Sequence, residues 1–367
     1  MTLRLLYIVS HPIQYQAPLL RQIARQPEIR LRVLFENVAS DGQHYDPGFG
    51  REIQWDVPLR EGYDSAPADD VSIADEIAAC DVLWVHGWQT GTLRSAIRRA
   101  SRQGKPVLMR GENWTGAMPD GQGLRGWLKR RYLSSIFRNC SGFLCIGKMN
   151  RDYYRDHGID DARLFDMPYA IDNDMFREKA DAADIGALRH SLGIPEDRKV
   201  ILYAGKLSPR KHPDILLTAW KTANWAGPKP VLLFVGDGPL MTSMHHEASE
   251  DVIFAGFRNQ TELPGLYRLA DLFVLAASRE AWGLAINEAM VCGTAVIAST
   301  ECGAAHDLID RNCGRLVPPG DAPALATILP EALENSRSLG ENARLRMAEW
   351  DFDADIRGLT HAIRSVA

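Results

Sequence analysis

The chain is poor in the features that define several large protein classes. It has six cysteines, at 80, 140, 145, 292, 302 and 313, and none forms a CxxC pair. That spacing offers neither a zinc ribbon nor a disulfide scaffold, and reads as the reduced thiols of a cytosolic protein. No apolar run approaches the about 18 residues that would span a bilayer. The 42 lysines and arginines are outnumbered by 47 aspartates and glutamates, for a net charge of −5, which gives no case for nucleic-acid binding as a main function. His245, His246 and Glu247 stand together but lack an HExxH spacing. Gly236 and Gly238 lack the third glycine of a dinucleotide fingerprint. There is no short-period repeat and no low-complexity tract. The opening run, MTLRLLYIVS, is too short in its apolar part for a leader and reads as a first strand.

What remains is the composition of a globular protein, 46% hydrophobic and 24% charged, with 367 residues allowing two domains of ordinary size. Short apolar runs alternate with helix-period segments. Strands are expected at 3–9, 31–35, 81–85, 106–109, 142–146 and 163–167, then at 199–204, 230–235, 252–256, 271–277 and 294–298, with helices at 17–25, 92–102, 213–221, 262–270, 284–291, 323–334, 338–349 and 350–366. Such alternation implies α/β architecture with parallel, doubly wound sheets. Residues 37–70 are rich in Gly, Asp and Pro and read as irregular, long enough to be functional.

The chain is organised around residues 278–299, SREAWGLAINEAMVCGTAVIAS. Glu280 and Glu288 stand eight residues apart, with Trp282, Gly283, Leu284 and Ala285 opening a helix between them and Gly293 closing it. In an open α/β sheet this loop lies at the carboxyl ends of the strands, where ligands bind. Gly283 lets backbone approach a ligand, and the free N–H groups of Leu284 and Ala285 attract a diphosphate. Glu288, a turn further in, can accept from a ribose diol, and Glu280 from sugar hydroxyls. A helix-terminal carboxylate with one solvated loop glutamate is the plainer alternative for the pair alone.

The flanking Asn287-Glu288-Ala289-Met290 and Cys292-Gly293 make this run resemble the Glu-x7-Glu signature of the family 4 (group 1) retaining glycosyltransferases. The resemblance spans about residues 198–322 and is much thinner before them. It implies the GT-B fold: two Rossmann-like domains facing across a cleft, here 1–174 with 350–367 returning to it, and 175–349. It further implies transfer of a sugar from a nucleoside-diphosphate donor, UDP or GDP, to an acceptor hydroxyl with retention, no cofactor and no metal, so that Asp172 and Asp174 are not expected to form a metal site. The settings it implies are bacterial polysaccharide, lipid-linked glycan or glycoconjugate synthesis. Gly205, Lys206, Arg210 and Lys211 resemble the family's Gly-Arg-Leu…Lys-Gly loop, with Lys206 where Arg is usual. The two lysines would stabilise the leaving diphosphate. Gly236 and Gly238 match a turn beside the donor, and Phe257 and Arg258 the place of the base. A sugar-nucleotide epimerase, a phosphorylase and a non-catalytic sugar-nucleotide-binding partner share these features.

In the first half, His11, His86, Arg110 and Glu112 follow strands and would converge on one sheet edge. His86, Arg110 and Glu112 are expected catalytic residues beside Lys206, Lys211 and Glu280. His11, Gln14, Tyr15, Trp88 and Asn113 are expected on the acceptor side. Residues 124–139 carry Arg125, Lys129, Arg130, Arg131 and Arg138, no acid, and Trp127, Leu128, Tyr132, Leu133, Ile136 and Phe137 at helical spacing. A basic amphipathic helix of this kind either contacts anionic lipid or packs a core with its charged side in water. The protein is thus expected in the cytoplasm, peripheral on the inner face of a membrane if the first holds.

Overall fold

The computed structural model describes residues 2–39, 44–46, 49, 51–121 and 123–367. The chain divides into two units. The first comprises Met1–His44, Val57–Ile171 and Asp351–Ala367, and the second Tyr45–Asp56 and Asp172–Trp350. Residues 45–56, which the sequence reading grouped with the amino-terminal domain, therefore belong with the carboxyl-terminal one.

The first unit is built on seven parallel strands. They are β1 (Leu3–Val9), β2 (Ile29–Phe35), β5 (Asp64–Pro67), β6 (Val82–His86), β7 (Val107–Arg110), β8 (Gly142–Cys145) and β9 (Leu164–Asp166), in the order β5-β2-β1-β6-β7-β8-β9. Both faces are covered, so its inner strands read as continuous apolar runs rather than as alternation. The pleat still divides the side chains. Leu5, Tyr7 and Val9 join Leu19, Leu20 and Ile23 and the last helix, Phe352–Val366, through Phe352, Ile356 and Leu359. Leu6 and Ile8 join Leu93 and Ile97, Leu133 and Ile136, and Tyr153 and Tyr154 on the other face. The order reverses between β1 and β6, which places the switch point at Val9 and His86.

The second unit repeats the plan with β10 (Val200–Ala204), β11 (Val231–Val235), β12 (Val252–Gly256), β13 (Leu272–Leu275), β14 (Ala295–Ser299) and β15 (Gly314–Val317). All pair in parallel in the order β12-β11-β10-β13-β14-β15. Its switch point lies between β10 and β13. The pair β3 (His44–Asp46) and β4 (Arg51–Ile53) forms a separate two-stranded sheet.

The segment read as irregular thus supplies three strands. The polar β5, Asp-Ser-Ala-Pro, holds the sheet edge because only one side of an edge strand needs hydrogen bonds, and it ends on a proline. Two further helices, Ile73–Ala79 and Met241–Glu247, are 7 residues each, too short for a helical period to show in the sequence. His245, exposed on the second of these, stacks on Phe254 at 4.0 Å. Asp172 accepts a 3.0 Å bond from Met175 N and caps the helix Asn173–Asp181.

The helix Gly123–Phe137 carries two apolar faces rather than one. Leu133, Ile136 and Phe137 are buried, whereas Leu124, Trp127, Leu128 and Tyr132 are 71%, 53%, 53% and 42% exposed. Arg131 lies over the Trp127 ring at 5.0 Å, and Arg130 and Lys129 face Asp120 at 3.0 and 3.6 Å.

Candidate functional site

In the second unit the loops after β10 and β13 meet on one carboxylate. Glu280, 9% exposed, receives Lys211 Nζ at 2.6 Å and Arg210 Nη1 at 3.1 Å on the same oxygen. Arg210 also donates to the Arg279 carbonyl at 3.1 Å. His212, left-handed at φ 53°, pairs with Ser278 Oγ at 2.7 Å and ties the same two loops. Glu280 and Lys211, distant in sequence, therefore form a single preassembled cluster at the switch point.

The glycines beside it serve backbone packing. A Cβ on Gly236 would stand 1.9 Å from the Gly205 carbonyl oxygen, and one on Gly238 2.6 Å from that of Leu207. The loops 205–207 and 236–238 are laid backbone on backbone, with Leu207 N donating to Asp237 O at 2.8 Å. The two glycines thus set the height of the Lys206 loop, a role the sequence reading had assigned to donor contact.

The helix Leu284–Val291 begins at Gly283, whose φ of 95° suits only glycine. Leu284 and Ala285 in its first turn are half-buried, whereas the rest of the helix is buried. Glu288 is 9% exposed and accepts from the Tyr267 hydroxyl at 2.7 Å. Burial raises its pKa above the usual carboxylate value, and hydrogen bonds from Tyr267 and Gln260 partly offset that. The Tyr267 contact lies on one oxygen, Oε2. Tyr267 and Gln260 were not legible from the sequence, because neither lies within the signature run. Trp282 is 3% exposed, donates to Asn287 Oδ1 at 2.9 Å and stacks on Trp350 at 5.8 Å. Expected at the donor, it instead anchors the loop to the interior.

Lys206 and Phe257 engage residues 45–56. Both oxygens of Asp46 accept from Lys206 Nζ, at 2.8 and 3.0 Å, and the Phe49 ring lies 4.8 Å from the same nitrogen. Phe49 meets the Phe257 ring edge-to-face at 5.2 Å, Trp55 approaches it at 6.1 Å, and the Arg51 guanidinium lies over it at 5.3 Å. Arg258 pairs with Glu262 at 3.2 Å.

In the first unit a hydrogen-bonded chain crosses the switch point. His86, at the end of β6, has Nδ1 3.0 Å from the Tyr7 hydroxyl and 3.3 Å from Gln16 Nε2, and Nε2 3.7 Å from Glu112. Glu112 accepts from Tyr169 at 2.5 Å and Tyr15 at 3.3 Å. Burial pushes the Glu112 pKa up, but the bonds from His86, Tyr169 and Tyr15 outweigh it and bring it to about 2. A carboxylate held that low is a fixed anion and a poor general base near neutrality.

Arg110, expected as a catalytic cation, is 1% exposed. Its Nη2 donates to Asp355 at 2.9 Å and to the Met167 carbonyl at 3.2 Å, and its guanidinium lies over the Tyr169 ring at 4.9 Å. It is a buried strut that fastens the last helix beneath Tyr169. Its sequence signal, an arginine closing a strand, is the same for a strut as for a site cation. Of the expected acceptor-side residues, Tyr15 joins the chain and His11 is exposed beside Ser10 at 2.9 Å. Trp88 and Asn113 are 9% and 3% exposed, and Gln14 is half-buried. Trp88 meets Tyr132 edge-to-face at 6.3 Å, beside the exposed apolar residues of the Gly123–Phe137 helix.

Two doubly wound units of this order make a GT-B fold, the class also seen in the Anabaena protein Alr3699/HepE in complex with UDP. That structure matches 99% of this chain and 100% of its own at a TM-score of 0.75 and 17% identity. Residues 184–348 match the model of the family described as Glycosyl transferases group 1. The chain is 34% identical over 218 residues to D-inositol 3-phosphate glycosyltransferase 2 of Catenulispora acidiphila, covering 54% of this chain and 50% of that one. It is 30% identical over 228 residues to the GDP-mannose-dependent alpha-(1-6)-phosphatidylinositol monomannoside mannosyltransferase of Mycolicibacterium smegmatis, covering 58% and 59%. The chain therefore spans little more than half the length of the curated relatives it matches.

Proposed function

We propose that the protein is a glycosyltransferase that moves a sugar from a nucleoside-diphosphate donor to an acceptor hydroxyl with retention. The observation that carries this reading is the Arg210–Lys211–Glu280 cluster at one switch point, beside a helix entry with Glu288 a turn inside it. A diphosphate at the first turn meets the Leu284 and Ala285 N–H groups. Lys211 and Arg210 then take up the charge that develops on the diphosphate as the glycosidic bond breaks, and Lys206 adds a third cation. Glu280, relieved of part of its pairing, accepts from sugar hydroxyls. Glu288 offers an oxygen to the ribose diol. Retention follows from the family resemblance: the acceptor attacks on the face the leaving group departs from, and the departing phosphate oxygen takes the acceptor proton. No protein nucleophile is needed, and Glu112 fits none.

The donor base is uracil or guanine on this reading, supported by the UDP complex of the Anabaena neighbour and the GDP-mannose-dependent relative. The acceptors in the relatives' names, inositol phosphate and a phosphatidylinositol mannoside, point to an anionic or lipid-linked acceptor. The outward Leu124, Trp127, Leu128 and Tyr132 with Arg125 and Arg131 suit peripheral contact with an anionic membrane. Among the described residues no helix is long and apolar enough to cross one.

The test is a thermal-shift panel of UDP, GDP and ADP and their common sugar forms on wild type, Lys211→Ala and Glu288→Ala. Stabilisation by one nucleotide series, lost in Glu288→Ala, is expected, because a ligand bound only to the folded state raises its stability. With the matching donor and acceptor, both variants lose transfer while keeping the fold. Full transfer by either variant, or stabilisation by no nucleotide, refutes the assignment.

A further inference from the structure

Residues 45–56 place an anion and an aromatic ring on the two groups that the proposed donor needs. Asp46 gives both carboxylate oxygens to Lys206 Nζ, and Phe49 covers that nitrogen and meets the Phe257 ring. On the donor reading a carboxylate takes the place of a phosphate at Lys206, and a phenyl ring takes that of the base at Phe257. The far end of the segment is fastened to the loop after β12. Asn259 Nδ2 donates to the Gln54 carbonyl at 2.7 Å, and Asp56 accepts from Thr261 N at 3.0 Å and from its hydroxyl. These contacts lie within the second unit.

We propose that Asp46 and Phe49 are internal occupants of the donor site, which compete with the nucleoside diphosphate for Lys206 and Phe257. The proposal rests on the donor reading given above. Lys206 Nζ has three N–H donors, and Asp46 takes two acceptor contacts with them while the Phe49 ring covers the nitrogen. A diphosphate reaching that ammonium must displace the carboxylate, since two anions sharing it would repel. A base reaching Phe257 must likewise displace Phe49, whose edge stands against that ring. Asp46 Oδ1 also accepts from Phe49 N at 3.2 Å, which ties the two occupants. A nucleoside or inorganic pyrophosphate must unseat the pair while gaining only one of the two contacts, whereas a ligand carrying both an anion and a ring gains both. The site thereby favours whole nucleotides over their fragments. The apparent affinity for the donor is reduced by the fraction of molecules in which the site is self-occupied.

The experiment is calorimetric titration of UDP and of GDP into the full chain as wild type, Asp46→Ala and Phe49→Ala, with circular dichroism to confirm equal folding. Self-occupancy in about nine molecules of ten predicts that each substitution tightens the nucleotide about tenfold. Phe49→Ala is the deciding variant, because it changes no charge. Tightening in Asp46→Ala alone is a charge effect and overturns the proposal. Weaker binding in either variant makes that side chain a donor contact and overturns it also. Binding by wild type with no change in either variant refutes self-occupancy while leaving the donor reading intact. Absence of binding in all three proteins refutes the donor reading, and this proposal with it.

Discussion

Arg110 and Asp355 form an ion pair at 2.9 Å with 1% and 0% exposure, and Arg110 Nε and Asp355 Oδ1 have no hydrogen-bond partner among the described residues. Two opposed charges buried this deeply repay their lost hydration mainly through each other. In Asp355→Ala the guanidinium keeps the Met167 carbonyl and the Tyr169 face but loses its counter-charge. The expected cost is about 3–5 kcal/mol, the range for breaking one side of a buried pair. At about 2–4 °C per kcal/mol for a unit of this size, the first unit should melt about 6–20 °C lower. Arg110→Met behaves differently with pH. Burial already raises Asp355 to about 6 against the pull of Arg110, so without the arginine the carboxyl titrates higher still, and the penalty shrinks as pH falls through that further-raised value. The double variant Arg110→Met, Asp355→Leu removes both charges, fills the space, and recovers most of the loss. Differential scanning calorimetry and urea unfolding of wild type, these variants and the single Asp355→Leu, which closes the cycle, at pH 5 and 8 measure all of this. A shift below about 1 kcal/mol for Asp355→Ala, or strict additivity in the double variant, refutes the strut reading and returns Arg110 to the catalytic candidates.

Three further outcomes are expected. Gly236→Ala sets a methyl 1.9 Å from the Gly205 carbonyl and should cost about 3 kcal/mol and weaken UDP or GDP binding, read by thermal melting and calorimetry. Glu112 has a folded pKa of about 2 against a usual 4.5, so its stabilisation is complete above pH 4.5 and is lost as pH falls from there towards 2. Because its side chain is 36% exposed, the discounted contribution is about 1–2 kcal/mol, and Glu112→Gln should flatten that acid limb of the stability profile. All six cysteines are buried, and burial raises their thiols, to about 11 for Cys80 and Cys302 and about 12 for Cys140 and Cys145. A thiol reagent such as DTNB should therefore label none in the native protein and all six after denaturation.

The apolar runs were enough to locate eleven of the strands, because parallel strands covered on both faces must be hydrophobic throughout. The same logic failed at β5, which is short, polar and at an edge. Within the site, the run from Glu280 to Glu288 could be read directly: a glycine at the helix entry, two carboxylates and a strand on either side are local features. Partners distant in sequence could not. Nothing local in Lys211 names Glu280 as its counter-ion, nor in Glu288 names Tyr267 as its donor. Arg110 and Glu112 show the limit most plainly. As polar residues closing a strand they read alike, as candidate catalytic groups. Folding buried the first against Asp355 of the last helix and set the second among two tyrosines and a histidine, so that one became a strut and the other a fixed anion. Asp46 lies in a stretch that reads only as irregular chain, yet it holds Lys206. Sequence by itself determined the doubly wound architecture and the signature loop, since both follow from short-range periodicity and backbone freedom. Which charges face one another was decided only by the tertiary structure, because that depends on contacts between residues as far as 336 positions apart.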